Sequence, residues 1–187
     1  MADCLVNGEG CRVPYNSDKI EYFRSNASFI LIVEKDAVFR KIISDLDWNS
    51  SNEFPSLILA TSKGMPDRPT RSFLRLLLDT LKIPIFGIFD CDAYGINIAL
   101  NYKFGAVKES NFEDFRLSIH EMKWIERAIL KGIKTRSMLK GTRWLEEVET
   151  MIKNGNKVEI ESVYNIRDDH YLLDHYLRYK LDNSLWI

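Results

Sequence analysis

The stretch Ile83 to Leu100, IPIFGIFDCDAYGINIAL, constrains this chain more than any other. A short apolar run, Ile83 to Phe89, leads into Asp90-Cys91-Asp92, and a helical segment starts near Gly95. A continuous apolar run bounded by turn residues predicts a strand buried on both faces. Side chains alternate along a strand. Asp90 and Asp92 then point the same way at its end, and Cys91 points the other way, toward the core. Two carboxylates side by side repel each other in a dry site. A divalent cation between them removes that repulsion, and magnesium prefers such oxygens. A turn-and-cap role is the other reading of Asp-x-Asp at a strand-to-helix junction.

Two further units of the same kind precede it. Ser28 to Val33 (SFILIV) reads as a buried strand ending at Glu34-Lys35-Asp36. The helix after it carries Phe39, Ile42, Ile43 and Leu46 at i, i+3, i+4, i+7 spacing. Ser56 to Ala60 (SLILA) reads as a strand running into the loop Thr61 to Asp67. Asp67 suits an N-cap and Pro69 a first helical turn. That helix runs to about Leu81 and buries Phe73, Leu74, Leu77, Leu78 and Leu81. The Lys63-Gly64 pair does not fit the phosphate-loop pattern and is also compatible with an ordinary strand-to-helix turn. Strand and helix alternating from 28 to about 104 predict an α/β fold, a parallel sheet with crossover helices. Ligands of such sheets sit outside the carboxyl ends of the strands. Glu34, the Lys63 loop and the Asp90/Asp92 pair all fall along that one edge.

A chain of 187 residues fits one large domain, or one domain with an appendage. A net charge of −1 exerts no general pull on nucleic acid, so any basic surface must come from local clustering. Cys4, Cys11 and Cys91 have no metal-ligand spacing and read as reduced thiols of a cytosolic or nuclear protein. No apolar run approaches about 18 residues, so no membrane span is expected. Residues 1–27 form an irregular N-terminal segment with a hairpin around Asn7 to Gly10. No signal-peptide core is present there. The abrupt start at Met1-Ala2-Asp3 suggests a further domain upstream.

Residues 28–110 form the core unit and 111–187 a C-terminal helical part of the same domain. From Lys123 to Arg143 there are seven Lys or Arg residues and one acid, Glu126. This is either a solvated face or a contact for nucleic-acid backbone or an acidic partner, with Lys131, Lys134 and Arg136 at its centre. Thr142 to Asn154 reads as a helix with Leu145, Val148 and Ile152 on one face. Lys157 to Tyr164 is helix-prone and carries Glu159 and Glu161. Asp168 to Leu181 reads as a helix whose Tyr and Leu side chains pack on the core. His120, His170 and His175 are too scattered for a zinc signature. Cys91, facing the core between two anions, has its pKa raised and is a poor nucleophile.

Taken in order, three sets of residues form one pattern. They are Val33 to Phe39, then Thr61 to Asp67 with Thr70-Arg71, then Asp90-Cys91-Asp92-Ala93-Tyr94-Gly95. The pattern resembles the topoisomerase VI A-subunit family, which includes the meiotic double-strand-break transesterase Spo-eleven. Asn101 to Gly105, Lys123-Trp124 and Lys157 to Glu161 match further landmarks, so the similarity runs from about Phe29 to about Leu181. The family usually has proline at Ala93 and an aromatic at Met65; neither departure removes a metal ligand, and both fit a diverged eukaryotic member.

The resemblance implies a Toprim fold: a Rossmann-like parallel sheet with helices on both faces, plus a C-terminal helical extension. It implies that Glu34, Asp90 and Asp92 are catalytic and bind magnesium, with manganese as a substitute. Lys63 and Arg71 would contact phosphates, although Arg71 could instead pair with a carboxylate. The nucleophilic tyrosine would sit on an upstream winged-helix domain. The partners implied are double-stranded DNA, a second copy of the full-length protein, and accessory subunits of a meiotic break-forming complex or a topoisomerase VI B-like subunit. The implied location is the nucleus and chromosome. Two other functions remain open: a non-catalytic Toprim-fold module that binds DNA or protein, and another Toprim enzyme, a primase or nuclease.

Overall fold

The computed structural model describes residues 10–46, 54–105, 133–134, 137–155, 157–164 and 171–184. Three apolar runs form parallel strands: β1 (Phe29–Val33), β2 (Leu57–Ala60) and β3 (Ile85–Ile88). The order is β2-β1-β3, with Phe29 opposite Leu57 and Val33 opposite Ile88. A helix follows each strand: α1 (Asp36–Asp45) follows β1, α2 (Arg68–Leu81) follows β2, and α3 (Ala93–Phe104) follows β3.

All five residues of β1 are buried, because β1 is the middle strand of the described sheet and is covered on both faces. Alternation sends Phe29, Leu31 and Val33 to one face, where they meet Val38 and Ile42 of α1. Ile30 and Ile32 go to the other, against Leu74 and Leu77 of α2. Helices therefore cover both faces, as expected for a Toprim sheet. Each fully buried aliphatic side chain contributes about 1.5–3 kcal/mol of transfer free energy, so β1 anchors the fold. The expectation that the Ile83–Phe89 strand is buried on both faces is corrected. Ile85, Phe86 and Gly87 are only half-buried, because β3 flanks β1.

Local chemistry sets the helix ends. The Asp67 side chain accepts from Thr70 N (2.8 Å), and a proline opens α2, as its sequence predicts. Asp92 caps α3 by accepting from Gly95 N (2.8 Å). α3 packs through Ala93, Ile96 and Leu100 against Ile133, Leu139, Val148 and Met151, the last two on α4 (Arg143–Asn154). Gly155 ends α4 in the left-handed conformation, φ 66°, where glycine escapes the Cβ penalty.

The C-terminal part differs from its sequence reading in three ways. Only α5 (Glu161–Tyr164) of the helix-prone 157–164 stretch is helical. Val158 instead pairs antiparallel with Cys91. Leu172–Leu177 forms a π-helical segment that runs into α6 (Arg178–Asp182). Its leucines, not its tyrosines, do the packing: Leu172, Leu173 and Leu177 join the β1–α1 core, while Tyr176 and Tyr179 are exposed. The hairpin expected at Asn7 to Gly10 lies almost entirely outside the described residues. Among the described residues, no helix is long and apolar enough to cross a membrane.

Candidate metal centre

Parallel pairing of β1 with β3 brings the two chain segments leaving the sheet side by side. Glu34 N, just past β1, donates to Ile88 O (3.1 Å). The Glu34 carboxylate turns toward the other segment and accepts from Asp90 N through Oε2 (2.9 Å). Asp90 Oδ1 accepts from Ile160 N (2.8 Å) and Asp90 Oδ2 faces Lys35 Nζ (2.9 Å). Asp92 Oδ1 caps α3, and its Oδ2 faces Lys157 Nζ (3.0 Å). Glu34, Asp90 and Asp92 are 8, 7 and 5% exposed, the only buried charged residues among those described. The structure thus brings all three predicted acids to one sheet edge.

Asp90 and Asp92 turn inward together, as alternation predicts. Cys91 does not face the core: it is exposed. The strand ends at Ile88, and the Cys91 backbone N–H and C=O are taken by Val158 (2.9 and 3.2 Å), which fixes the side chain outward. Its thiol pKa is nonetheless raised, by desolvation first and then by Glu147, Asp92 and Asp90. That keeps it a poor nucleophile.

Burial raises the Glu34 pKa above the ordinary glutamate value. The Asp90 N–H and the Lys35 charge oppose this, while the charges of Asp90 and Asp92 add to it. Desolvation works against the charge on Lys35, yet its hydrogen bonds to Glu161 and Asp90 carry its pKa above the usual lysine range. A carboxyl whose folded pKa exceeds its unfolded value stabilises the fold below the unfolded pKa. That contribution is lost as pH rises through the folded pKa. With metal chelated, Glu34→Gln should therefore be more stable than wild type at neutral pH. The gap should close as pH falls below the ordinary glutamate range, followed by denaturant melts across pH. A Glu34→Gln chain less stable than wild type at neutral pH would contradict this.

Buried, hard oxygen donors carrying excess negative charge suit a hard divalent cation. Among the described residues, however, no three His, Cys, Asp or Glu side chains are gathered closely enough to enclose one ion. Two lysine ammonium groups stand against the aspartate Oδ2 atoms instead. Sequence singles out neither lysine, because both contacts join residues far apart in the chain. A signal is present all the same: Lys35 adjoins Glu34, and Lys157 opens the Lys157–Glu161 landmark.

The basic candidates are dispersed. Lys63 sits in a left-handed turn, φ 58°, exposed, 3.3 Å from Asp36. Its loop is held on α3 by Ser62 against Tyr102 (2.6 Å) and by Asn101 donating to the Met65 sulfur (3.1 Å). Arg71 Nη1 donates to Asn101 Oδ1 (3.1 Å), so it meets an amide rather than a carboxylate. Lys134 pairs with Glu149 (2.9 Å). Lys131 and Arg136, like most of the Lys123–Arg143 stretch, lie outside the described residues.

The family model for the Toprim domain of the topoisomerase 6 A subunit and Spo11 matches residues 29–127. The A subunit of DNA topoisomerase 6 from Arabidopsis thaliana is 33% identical over 212 residues, covering 100% of this chain and 48% of that protein. Meiotic recombination protein SPO11 of Mus musculus is 32% identical over 208 residues, covering 98% and 51%. Meiotic recombination protein spo-11 of Caenorhabditis elegans is 52% identical over 85 residues, covering 46% and 19%. The chain spans about half the length of the first curated relatives it matches. With three acids at the carboxyl ends of adjacent parallel strands, in a fold and a residue order that match this model, the chain belongs to the Toprim family of the topoisomerase 6 A subunit and Spo11.

Proposed function

We propose that this chain is the metal-binding half of a topoisomerase-like transesterase that makes double-strand breaks in DNA during meiotic recombination. The observation that carries the reading is the burial of Glu34, Asp90 and Asp92 just past the carboxyl ends of β1 and β3 in a chain of this family. Those three residues would hold magnesium, or manganese in its place. A bound ion supplies charge neutralisation at the transferring phosphate and the leaving 3′-oxygen. Alternatively, Glu34, whose pKa burial raises in the metal-free chain, would act as a general acid or base instead of a ligand. Lys63 is exposed on a braced loop beside the same edge and meets the DNA backbone, with Arg71 behind it. Lys131, Lys134 and Arg136 add a salt-sensitive contact to the backbone. The nucleophile is a tyrosine on an upstream winged-helix domain, and the protein works as a dimer with accessory or B-type subunits on chromosomes in the nucleus.

A second reading is favoured by the lysines on Asp90 and Asp92: a non-catalytic Toprim module in which ammonium groups replace the ion for good. Melting temperature against magnesium separates the two. A ligand at a hundred times its dissociation constant stabilises the fold by about 2.7 kcal/mol. Wild type should follow that curve, and Asp90→Asn should lose most of the metal-dependent increment. Equal responses would remove Asp90 as a ligand, and a flat response in both would favour the non-catalytic module. Asp90→Asn can also relieve repulsion in the metal-free chain, so the increment is the quantity to compare.

A further inference from the structure

Each aspartate of the cluster divides its two oxygens in the same way. Oδ1 takes a backbone N–H: Ile160 N for Asp90 and Gly95 N for Asp92, both 2.8 Å. Oδ2 takes a lysine: Lys35 for Asp90 at 2.9 Å and Lys157 for Asp92 at 3.0 Å. The backbone donors are held by α3 and by the Cys91–Val158 pairing. The lysines are long and flexible. Their side chains are 28 and 44% exposed, against 7 and 6% for the aspartates they meet. The ammonium groups thus have solvent to move into, while the carboxylates are tied on one side to backbone N–H groups.

Each lysine also has another acid within reach. Lys35 Nζ is 2.7 Å from Glu161 Oε2 and 3.7 Å from Glu159 Oε2. Lys157 Nζ is 3.9 Å from Glu159 Oε1. Four carboxyl groups thus surround two ammonium groups, and two of the four, Asp90 and Asp92, are buried.

We infer that Lys35 and Lys157 are built-in counter-cations that occupy the Asp90 and Asp92 Oδ2 positions until a divalent cation displaces them onto Glu161 and Glu159. The inference rests on the proposed metal site. It adds a competition that nothing in the three acids alone would reveal. Without metal, the lysines relieve the repulsion of adjacent buried anions. With metal, they stay beside the cluster, each on its outer acid. Magnesium affinity is then set partly by the lysines, and the Lys157–Glu161 segment moves with occupancy because it carries Lys157, Glu159 and Glu161 together.

The experiment is a magnesium titration of melting temperature on the full chain. It compares wild type, Lys157→Met, Lys157→Arg, Lys35→Gln, Asp90→Asn and Arg75→Gln. Arg75 is an exposed α2 residue paired with Asp79, and its variant controls for general loss of positive charge. Removing a unit positive charge a few ångström from a bound dication should lower the apparent Kd about tenfold at water-like screening. Lys157→Met and Lys35→Gln should show that gain together with a lower metal-free melting temperature. Lys157→Arg and Arg75→Gln should titrate like wild type. Unchanged or weaker magnesium binding in both lysine-loss variants, with Asp90→Asn still deficient, overturns the competition and leaves the metal site standing. A gain in Arg75→Gln equal to that in Lys157→Met reduces the effect to net charge and also overturns it. Asp90→Asn titrating like wild type, or no response in any variant, overturns the metal site and the competition with it. If Lys35→Gln does not fold, the more exposed Lys157 pair still decides.

Discussion

Under the proposed function, Gly95→Ala should reduce DNA cleavage by the full-length protein about a hundredfold or more, and should also blunt the magnesium-dependent rise in melting temperature. Gly95 lies in the first turn of α3, directly over the peptide of Asp90. A Cβ built there overlaps the Asp90 carbonyl oxygen and lies 2.9 Å from the Asp90 carbon and 3.0 Å from its nitrogen. All three neighbours are backbone, so no side-chain rotation relieves the clash. Either α3 moves away from the β3 end or the Asp90 peptide turns. The first displaces Asp92, whose cap bond comes from Gly95 N. The second turns the Cys91 N–H, which shares that peptide, away from Val158 O. Overpacking of this kind typically costs about 1–3 kcal/mol of stability, which leaves a folded chain to assay. Misplacement by about 1 Å near reacting atoms is enough for a hundredfold loss of rate. A Gly95→Ala protein that melts, binds magnesium and cleaves like wild type would show that this contact positions nothing.

The parts of this site that sequence reveals are those set by local rules. β1, β2 and β3 are apolar runs ended by charged or turn residues, and each ends near its expected position. Asp67 and Pro69 mark the start of α2 because a cap and a first-turn proline act over three residues. The three acids were legible because parallel strands with helical crossovers align their carboxyl ends without any further information. What sequence hid is set by tertiary pairing. Lys157 to Ile160 has helix-forming residues, yet its backbone is taken by Cys91 and the Asp90 carboxylate. The outward turn of Cys91 has the same cause. Ile83 to Phe89 reads as a fully buried strand, but strand order decides burial, and among the described residues it is β1 that lies between two neighbours. The tyrosines near the C-terminus could not be sorted from the leucines by composition. The π-helical turn at Leu172–Leu177 decides which side chains reach the sheet.

Under the proposed function, a full-length heterodimer with one protomer lacking the nucleophilic tyrosine and the other carrying Glu34→Ala should nick DNA and not linearise it. Reach decides this. In-line transfer places the attacking oxygen about 3 Å from phosphorus, opposite the leaving oxygen that a metal on the acid cluster would stabilise. In this chain the cluster is fixed to the rigid end of a sheet: Glu34 follows β1 and Asp92 caps α3. It cannot travel to meet a nucleophile. A two-fold arrangement that brings the tyrosine-bearing domain of one protomer to the sheet edge of the other would meet the demand and yield one cut per strand. In the heterodimer both lesions then fall in a single shared site. The remaining site keeps an intact tyrosine and an intact Glu34, and one strand is cut. If each protomer instead completed its own site, both would be broken and the DNA would stay closed. A supercoiled plasmid resolves the outcomes on one gel, because nicked circles, linear DNA and uncut substrate migrate apart. Wild-type homodimers supply the double-cut control, and homodimers of either variant supply the uncut one. Uncut substrate from a heterodimer verified to be assembled and bound to DNA would place tyrosine and metal site in the same protomer.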